Sequence, residues 1–378
     1  MEYVSTRGGA GAVDFEGALF SGYAPDGGLF MPQRIPSLDW DTLRRWSRLP
    51  YRELVKELCS LFITAELVPP STLNDLIDRA FSRFRHKDVV HLSRLKDGLN
   101  VLELWHGVTY AFKDLSLSCT GQFLQYFLEK KKQHVTILCA PSLDTTPLPM
   151  VEIVVPTGGG GNITAGCIAQ KMGLPIQLVA VVNSNDIIHR TVQHGDFSLS
   201  ESVKATLASA MDIQEPYNME RILWLLLGSD SRLTKMLMER FSVSKSLKLP
   251  EDLHRKLSET LRSCSASDED IVRAMQRCWE ENRYLLCPHS AVAAHYHYSQ
   301  PNSVPRCCLA PASAAKFQDA LLRAGLVPQL PPEITALRAM ETRSTPLERG
   351  QDWAQALREQ IEAMARRWAI AGQGVTQT

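Results

Sequence analysis

The chain has 378 residues, enough for two domains of ordinary size. Its hydrophobic content of 44% and charged content of 22% are typical of a soluble globular protein. Because its 41 basic residues equal its 41 acidic residues, no net field favours nucleic acid or an acidic membrane, and we expect neither as a partner.

The nine cysteines are scattered, odd in number and without CxxC spacing. This is the pattern of reduced thiols in the cytosol rather than of a disulfide framework. No basic segment followed by an apolar run opens the chain, and no apolar stretch is long enough to span a bilayer. We therefore expect a cytoplasmic protein, although the sequence leaves secretion of this form open.

Residues 1–98 are predicted to form a mostly helical N-terminal domain. Apolar residues at helical spacing predict a helix over 51–62. Asp41 is a candidate cap for the helix before it. Ser71 or Thr72 is a candidate cap for the helix after it, whose apolar stripe is Leu73, Leu76, Ile77, Ala80 and Phe81.

From residue 99 onward, strand-like and helix-like runs alternate. The predicted elements are strand 99–105, helix 115–131, strands 135–139 and 150–155, helix 163–172 and strand 175–182. This alternation is typical of an α/β fold with a parallel sheet, in which ligands bind outside the carboxyl ends of the strands.

The remaining chain is predicted to be mainly helical. Residues 250–283 are predicted as surface helices, one of them capped by Ser267, and strand and helix alternate again over 284–327. We assign 99–330 to one cofactor-binding domain and 331–378 to a C-terminal amphipathic helix and tail.

Lys113 lies where a strand-like run ends and a helix-like run begins. The N-terminal end of a helix is positive, so this position disfavours the lysine's own charge, and partial burial would disfavour it further. An amine that is easily neutralised suits Schiff-base chemistry with an aldehyde. The alternative is a solvated lysine at a helix end.

Four glycines at 158–161, followed by Asn162, lie between an apolar strand and a helix-like run. Such a loop lets backbone N–H groups approach a phosphate at a helix N-terminus. The alternative is a flexible linker. A third segment, Pro-His-Ser at 288–290, follows the apolar run 284–286.

The lysine, the tetraglycine loop and the Pro-His-Ser segment, in this order, resemble the threonine synthase family of pyridoxal-phosphate enzymes, and the vertebrate branch is the most similar. Four further segments resemble the family: 3–8, 24–30, 185–190 and 211–221. The resemblance covers about residues 1–345 with one gap. It implies the fold-type II (tryptophan synthase β-like) architecture in a truncated form.

This resemblance implies pyridoxal 5'-phosphate as the cofactor. Lys113 would hold it as a Schiff base and then act as general base and acid on the substrate. The cofactor's phosphate would be bound by Gly158, Gly159, Gly160, Gly161 and Asn162. The Ser290 hydroxyl would meet the pyridine nitrogen, although a helix cap is an alternative role for Ser290.

The resemblance also implies a phosphorylated amino acid as substrate and no catalytic metal. Its binding site would be bordered by His106, Thr109, Asn185, Asp186 and Arg190. A guanidinium is always charged and binds phosphate bidentately, so Arg190 is the natural phosphate ligand. A surface-helix ion pair is its alternative role.

The vertebrate branch resembles phospho-lyases, which eliminate phosphate from O-phosphohomoserine or O-phosphothreonine and yield 2-oxobutanoate and ammonia. Other members of the family replace the phosphate to form threonine. Members of the family are often monomers or dimers, so the resemblance is compatible with a homodimer.

The chain departs from the family after Ala140. The family continues there with a Ser-Gly-Asp-Thr-Gly-type loop and about a hundred residues of small domain, a normal domain size. Here residues 141–149 lead directly to Met150 and the strand before the glycines. This pattern indicates alternative splicing or an incomplete gene model.

The absent loop and domain would contact the cofactor and exclude water from the cleft. We therefore expect weak cofactor capture and little turnover. The alternative is an inactive splice form that binds a protein partner, including one outside the cell. A nucleotide-binding α/β protein ranks last, because Asn162 and not lysine follows the glycines.

Overall fold

The computed structural model describes residues 1–131, 150–301, 304–342 and 344–373, with the side chains of 338 and 367–373 excepted. The predicted strand 135–139 and the segment 141–149 lie outside the described residues. The chain forms two compact units, Met1–Gln329 and Leu330–Thr378.

The described residues of the first unit form three sheets. The strands are β1 (Tyr3–Ser5), β2 (Phe30–Pro32), β3 (His91–Arg94), β4 (Asn100–Glu103), β5 (Val151–Pro156), β6 (Ile176–Val182), β7 (Asp196–Ser198), β8 (Ser246–Lys248), β9 (Leu261–Ser265) and β10 (Arg306–Ala310). Strands β1 and β2 form one small antiparallel pair, and β7 and β8 form another. The other six form the central sheet in the order β3-β4-β10-β5-β6-β9.

The central sheet is parallel except at one edge. β10 pairs in parallel with β4 and β5, and β5, β6 and β9 continue the parallel arrangement. β3 is antiparallel to β4 and forms an edge. The α/β class is thus confirmed, as a mixed sheet. β9 corrects the prediction that 250–283 is helical throughout.

Helices flank this sheet and also make up the second unit. In the first unit they are α1 (Phe15–Phe20), α2 (Trp40–Trp46), α3 (Tyr51–Phe62), α4 (Pro70–Phe81), α5 (Lys113–Lys131), α6 (Gly161–Lys171), α7 (Ile187–His194), α8 (Met219–Leu226), α9 (Ser231–Ser244), α10 (Glu251–Thr260), α11 (Asp268–Asn282), α12 (Pro288–Ser299) and α13 (Gln318–Arg323). The second unit contains α14 (Pro332–Ala336) and α15 (Trp353–Gln373).

Along β4, β6 and β10, successive residues enter two different hydrophobic cores in turn. Leu102 and Leu178 belong to the core that includes residues of α3 to α10. Val101 and Val179 belong to the core with α11, α12 and α13. This period of two is what a strand covered by helices on both faces requires.

The N-terminal helices were predicted well in extent but not in their caps. Helix 51–62 is confirmed as α3, and all five predicted stripe residues of α4 are buried. Asp39, not Asp41, caps α2 by accepting from Thr42 N. Ser71 and Thr72 are not caps, because α4 already starts at Pro70.

The side chains of α4 join the core on the helix-rich face of the sheet. Ile77 and Phe81 are fully buried in the same cluster as Leu102 of β4 and Leu104, which follows that strand. The first 98 residues thus share a core with the sheet. Their separation as a domain of their own stays a prediction.

In the second unit, α15 carries an apolar stripe. Its described members Trp353, Leu357, Ile361 and Met364 are 47–57% exposed. Among the helices in the described part of the chain, none is long and apolar enough to cross a bilayer.

Candidate active site

Lys113 is the first residue of α5, directly after the loop that follows β4. Its side chain is exposed rather than partly buried. The buried Asp114 carboxylate next to it accepts from Thr109 N at 2.7 Å and from Thr109 Oγ1 at 2.8 Å. A Cβ on Gly107 would lie 2.3 Å from the Asp114 Cβ, so only glycine allows the loop to fold this closely.

A second lysine lies beside this loop. Lys316 Nζ donates to the Thr109 carbonyl oxygen at 2.9 Å. Burial lowers the pKa of Lys316; the Asp114 carboxylate opposes this shift, and the Lys113 ammonium adds to it. Two amines therefore share the start of α5.

The tetraglycine loop joins β5 to α6. Gly160 has φ +82°, and a Cβ on Gly158 would lie 3.0 Å from the Met211 Cα, so neither position readily accepts a side chain. Among the described residues, the amide N–H groups of 158–163 have no hydrogen-bond acceptor. Free amides at a helix N-terminus form a site for a phosphate.

Asn218 fixes the rear of this loop. Its Nδ2 donates to the Gly159 carbonyl oxygen at 2.9 Å, and its backbone N–H donates to the same oxygen at 3.3 Å. The Oδ1 of Asn218 accepts from Arg221 Nη1 at 2.6 Å. The loop is thus held by side chains that come about 60 residues later in the chain.

Ser290 lies in the first turn of α12 and is buried. Cys287, not Ser290, caps this helix, because the Cys287 Sγ accepts from Ser290 N. The Ser290 hydroxyl lies 3.1 Å from the same sulfur. His289 is also buried; its Nε2 accepts from Ala210 N at 3.1 Å, and its ring contacts the Phe317 ring at a tilted angle.

Burial lowers the pKa of His289 to about 4. Its Nδ1 has no hydrogen-bond partner among the described residues. In the described part of the chain, no three His, Cys, Asp or Glu side chains are placed to hold a metal ion.

Asn185 and Asp186 follow β6, at the same edge of the sheet. Asn185 is buried and bonded through its side chain to Asn183, Lys204 and Asp212. Asp186 directly precedes α7 and accepts from Arg190 Nε at 3.0 Å.

Arg190 is held by its neighbours. Besides Asp186, it donates from Nη1 to Asp196 at 2.7 Å and from Nη2 to the Ser198 carbonyl oxygen at 2.7 Å. His106, near Lys113, is bonded through Nε2 to Glu103 at 2.8 Å. Arg190 thus makes the ion pair considered as its alternative role.

The strand order brings the loop before Lys113 and the tetraglycine loop to the same end of the sheet, where the parallel strands have their carboxyl ends. β10 alone separates β4 from β5. Since paired strands lie about 4.8 Å apart, the carboxyl ends of β4 and β5 are about 10 Å apart. A cofactor with an aldehyde at one end and a phosphate at the other fits an amine and a row of free amides at this separation.

The structure closely matches solved enzymes. The threonine synthase from yeast superposes with a TM-score of 0.86 at 25% identity, covering 97% of this chain and 99% of that one. The pyridoxal-phosphate-bound threonine synthase from Brucella melitensis gives a TM-score of 0.85 at 25% identity, covering 92% and 96%.

Two family models match as well: Threonine synthase N terminus at residues 2–81, and Threonine synthase, C-terminal at 290–361. Threonine synthase-like 2 from Rattus norvegicus is 54% identical over 476 positions, covering 97% of this chain and 98% of the relative. The chain belongs to the threonine synthase family.

Membership confirms the fold-type II architecture and, for the family, pyridoxal 5'-phosphate as cofactor. The rat alignment spans 476 positions and this chain has 378 residues, so about one hundred aligned positions have no residue here. That number agrees with the size of the small domain that the family resemblance predicts to be absent after Ala140.

Lys316, Asn218 and Arg221 were missed as site residues. Lys316 follows β10 as Lys113 follows β4, so the rule that selected Lys113 could also have found Lys316. No sequence rule places Asn218 or Arg221 behind the glycine loop, since those contacts exist only in the folded chain. The cofactor and substrate roles assigned to the predicted residues stay predictions.

Proposed function

We propose that this chain binds pyridoxal 5'-phosphate, with Lys113 as its covalent ligand and 158–162 as its phosphate cradle. We further propose that its chemistry is the elimination of phosphate from a phosphorylated amino acid. One observation supports this most: the strands that lead to an amine and to a row of free amides, β4 and β5, end on the same side of the sheet about 10 Å apart.

The cofactor would supply the electron sink for this chemistry. Lys113 Nζ would take the proton from the substrate Cα and return protons later in the reaction. The Asp114 carboxylate is hydrogen-bonded to Thr109 and thereby holds the loop that precedes Lys113. Ser290 would offer its hydroxyl to the cofactor ring, in exchange for its contact with Cys287.

The proposed substrates are O-phosphothreonine and O-phosphohomoserine. The substrate loses a proton and its phosphate, and the organic product takes up water to give 2-oxobutanoate and ammonia. Arg190 remains the proposed phosphate ligand, and His106, Thr109, Asn185 and Asp186 would border the substrate. To bind the substrate phosphate, the Arg190 guanidinium would give up a hydrogen bond to a carboxylate such as Asp186.

We propose that this form turns over little substrate. About one hundred positions of the rat relative have no counterpart here, and Lys113 is exposed. A cleft open to water weakens the electrostatic interactions of the site and allows side reactions.

The test compares three proteins in an assay of phosphate and 2-oxobutanoate release. They are this chain, the chain with the rat relative's segment inserted after Ala140, and the inserted form with Lys113→Ala. We expect release from the inserted form, at least about 100-fold less from this chain and none with Lys113→Ala, since the lysine carries the proton transfer. No release from the folded inserted form, or release without Lys113, would contradict the proposal.

A second candidate function is binding of a protein partner without catalysis. The exposed apolar stripe of α15 favours it, because such stripes are typical of docking surfaces. Sedimentation velocity over a range of concentrations would detect a homodimer, and joint replacement of Leu357 and Ile361 by Glu should abolish it. A monomer at every concentration, with normal turnover, would contradict this candidate.

A further inference from the structure

Arg221 is a partly buried cation in the first turn of α8. Its Nη1 donates to Asn218 Oδ1 at 2.6 Å, and its Nη2 lies 3.4 Å from the Phe30 carbonyl oxygen. No carboxylate among the described residues lies within ion-pair distance of it. Within the described part of the chain, Arg221 thus has two neutral acceptors and no counter-ion.

The carboxylate of the adjacent residue, Glu220, is bonded to other side chains. Glu220 accepts from Thr6 Oγ1 at 2.6 Å and from Arg7 Nη2 at 2.8 Å. Burial lowers the pKa of Arg221, while the nearby Tyr217 and Glu220 oppose that shift. A partly buried charge without a counter-ion is costly, so an anion that binds nearby would be stabilised by it.

One side chain separates Arg221 from the tetraglycine loop. Asn218 accepts from Arg221 through Oδ1 and donates to the Gly159 carbonyl oxygen through Nδ2. A Cβ on Gly159 would lie 3.5 Å from the Tyr217 ring, so the segment before α8 covers the same loop. The positively charged Arg221 side chain is therefore linked through Asn218 to the loop that carries the free amides of 158–163.

We propose that Arg221, positioned by Asn218, supplies the full positive charge that balances the cofactor phosphate at the tetraglycine loop. This inference rests on the proposed function. Amide groups at a helix N-terminus offer only partial charges, whereas a phosphate monoester carries about −1.5 to −2 at pH 7. Arg221 would thus be a positioning residue. It would favour the binding of pyridoxal 5'-phosphate over the binding of pyridoxal, which lacks the phosphate.

The test separates charge from structure by using two ligands. Absorbance titrations measure the affinity for pyridoxal 5'-phosphate and for pyridoxal, which lacks the phosphate, in the wild type, Arg221→Met and Arg221→Lys. Arg221→Met should weaken pyridoxal 5'-phosphate binding by about tenfold or more, because a charge is lost near the phosphate. Pyridoxal binding should change by less than about twofold, and Arg221→Lys should recover most of the loss.

An independent readout is the ³¹P NMR titration of the bound cofactor. Arg221→Met should raise the pKa of the phosphate, since a nearby cation favours the dianion. Arg232→Met, an exposed change on α9, is the control and should alter neither measurement. Thermal unfolding without ligand shows whether each variant is folded.

Equal weakening of both ligands would assign Arg221 a purely structural role and overturn the inference. So would unchanged pyridoxal 5'-phosphate binding by Arg221→Met. If Arg221→Met still attaches pyridoxal to Lys113, the proposed function stands whatever happens to the phosphate preference. Failure of the folded wild type to bind either ligand would overturn both.

Discussion

The Lys316 amino group donates a 2.9 Å hydrogen bond to the Thr109 carbonyl oxygen, which joins the loops after two adjacent strands. Two backbone bonds reinforce this link: Phe112 N to the Pro311 carbonyl at 2.7 Å, and Ser313 N to the Tyr110 carbonyl at 3.1 Å. The loop that precedes Lys113 is therefore held by a segment some 200 residues later in the chain.

Replacing Lys316 with Met should loosen this loop. The variant keeps an apolar stem and loses one hydrogen bond, so we expect a loss of about 1 kcal/mol in the free energy of unfolding. Pyridoxal 5'-phosphate should attach to Lys113 less tightly. Urea denaturation and an absorbance titration measure the two effects. An unchanged unfolding midpoint together with unchanged affinity would show that the bond is dispensable.

Gly158→Ala should damage the glycine loop. The added Cβ would lie 3.0 Å from the Met211 Cα, which is backbone and cannot rotate away. We expect at least about tenfold weaker binding of pyridoxal 5'-phosphate, since a small displacement of the free amides already costs phosphate contacts.

The matched control is Gly121→Ala, within α5. A Cβ there meets nothing within 4 Å, and alanine favours a helix over glycine by about 0.5–1 kcal/mol. This variant should bind the cofactor normally and be slightly more stable. If Gly158→Ala bound as well as Gly121→Ala, the loop would not be the phosphate cradle.

Helices with strong apolar periodicity could be predicted from the sequence. The limits of α3 were predicted correctly, and Ser267 caps α11 as expected. β9 could not be found this way, because this edge strand buries Leu261 fully and leaves its other residues partly or wholly exposed. Strand pairing with β6, not local pattern, makes it a strand.

Site candidates could be selected from the sequence where they follow a strand end. Lys113 and the glycine loop were selected because each follows a strand and because their order along the chain resembles the threonine synthase family, and their roles stay predictions. Arg190 illustrates the limit: its type and position suggest a phosphate ligand, and only the fold reveals the two carboxylates that hold it.

Stability should fall on acidification because of His289. Burial lowers its pKa to about 4, from about 6.5 in the unfolded chain. Above pH 6.5 both states are neutral, so the pKa difference has no effect. Between pH 6.5 and 4 the unfolded state gains the proton first, and the loss reaches about 3 kcal/mol near pH 4.

Unfolding of the wild type and His289→Gln, measured from pH 7 to 4, isolates this contribution from that of the carboxylates. His289→Gln should show the shallower pH dependence, and the exposed His194→Gln should follow the wild type. Parallel curves for all three proteins would mean that His289 is not buried as described.

The buried carboxylate of Glu152 should be essential for folding. It accepts from Arg306 Nε, from Tyr296 Oη at 3.1 Å and from Arg262 Nη1 at 3.3 Å. Glu152→Gln leaves Arg306 buried without its charge partner, which should cost about 3–5 kcal/mol of unfolding free energy. Glu239→Gln, from a long exposed pair with Lys235, should leave it unchanged. Equal stability of the two variants would contradict this account.

The central claim is that Lys113 and the glycine loop bind one pyridoxal 5'-phosphate, and covalent capture tests it most directly. The purified chain is mixed with the cofactor, reduced with borohydride, digested and analysed by mass spectrometry, beside Lys113→Ala and the surface control Lys130→Ala. We predict a visible absorption band that reduction bleaches and one modified residue, Lys113, in the wild type and in Lys130→Ala. A folded wild type without the band, or the same band and yield in Lys113→Ala, would contradict the account.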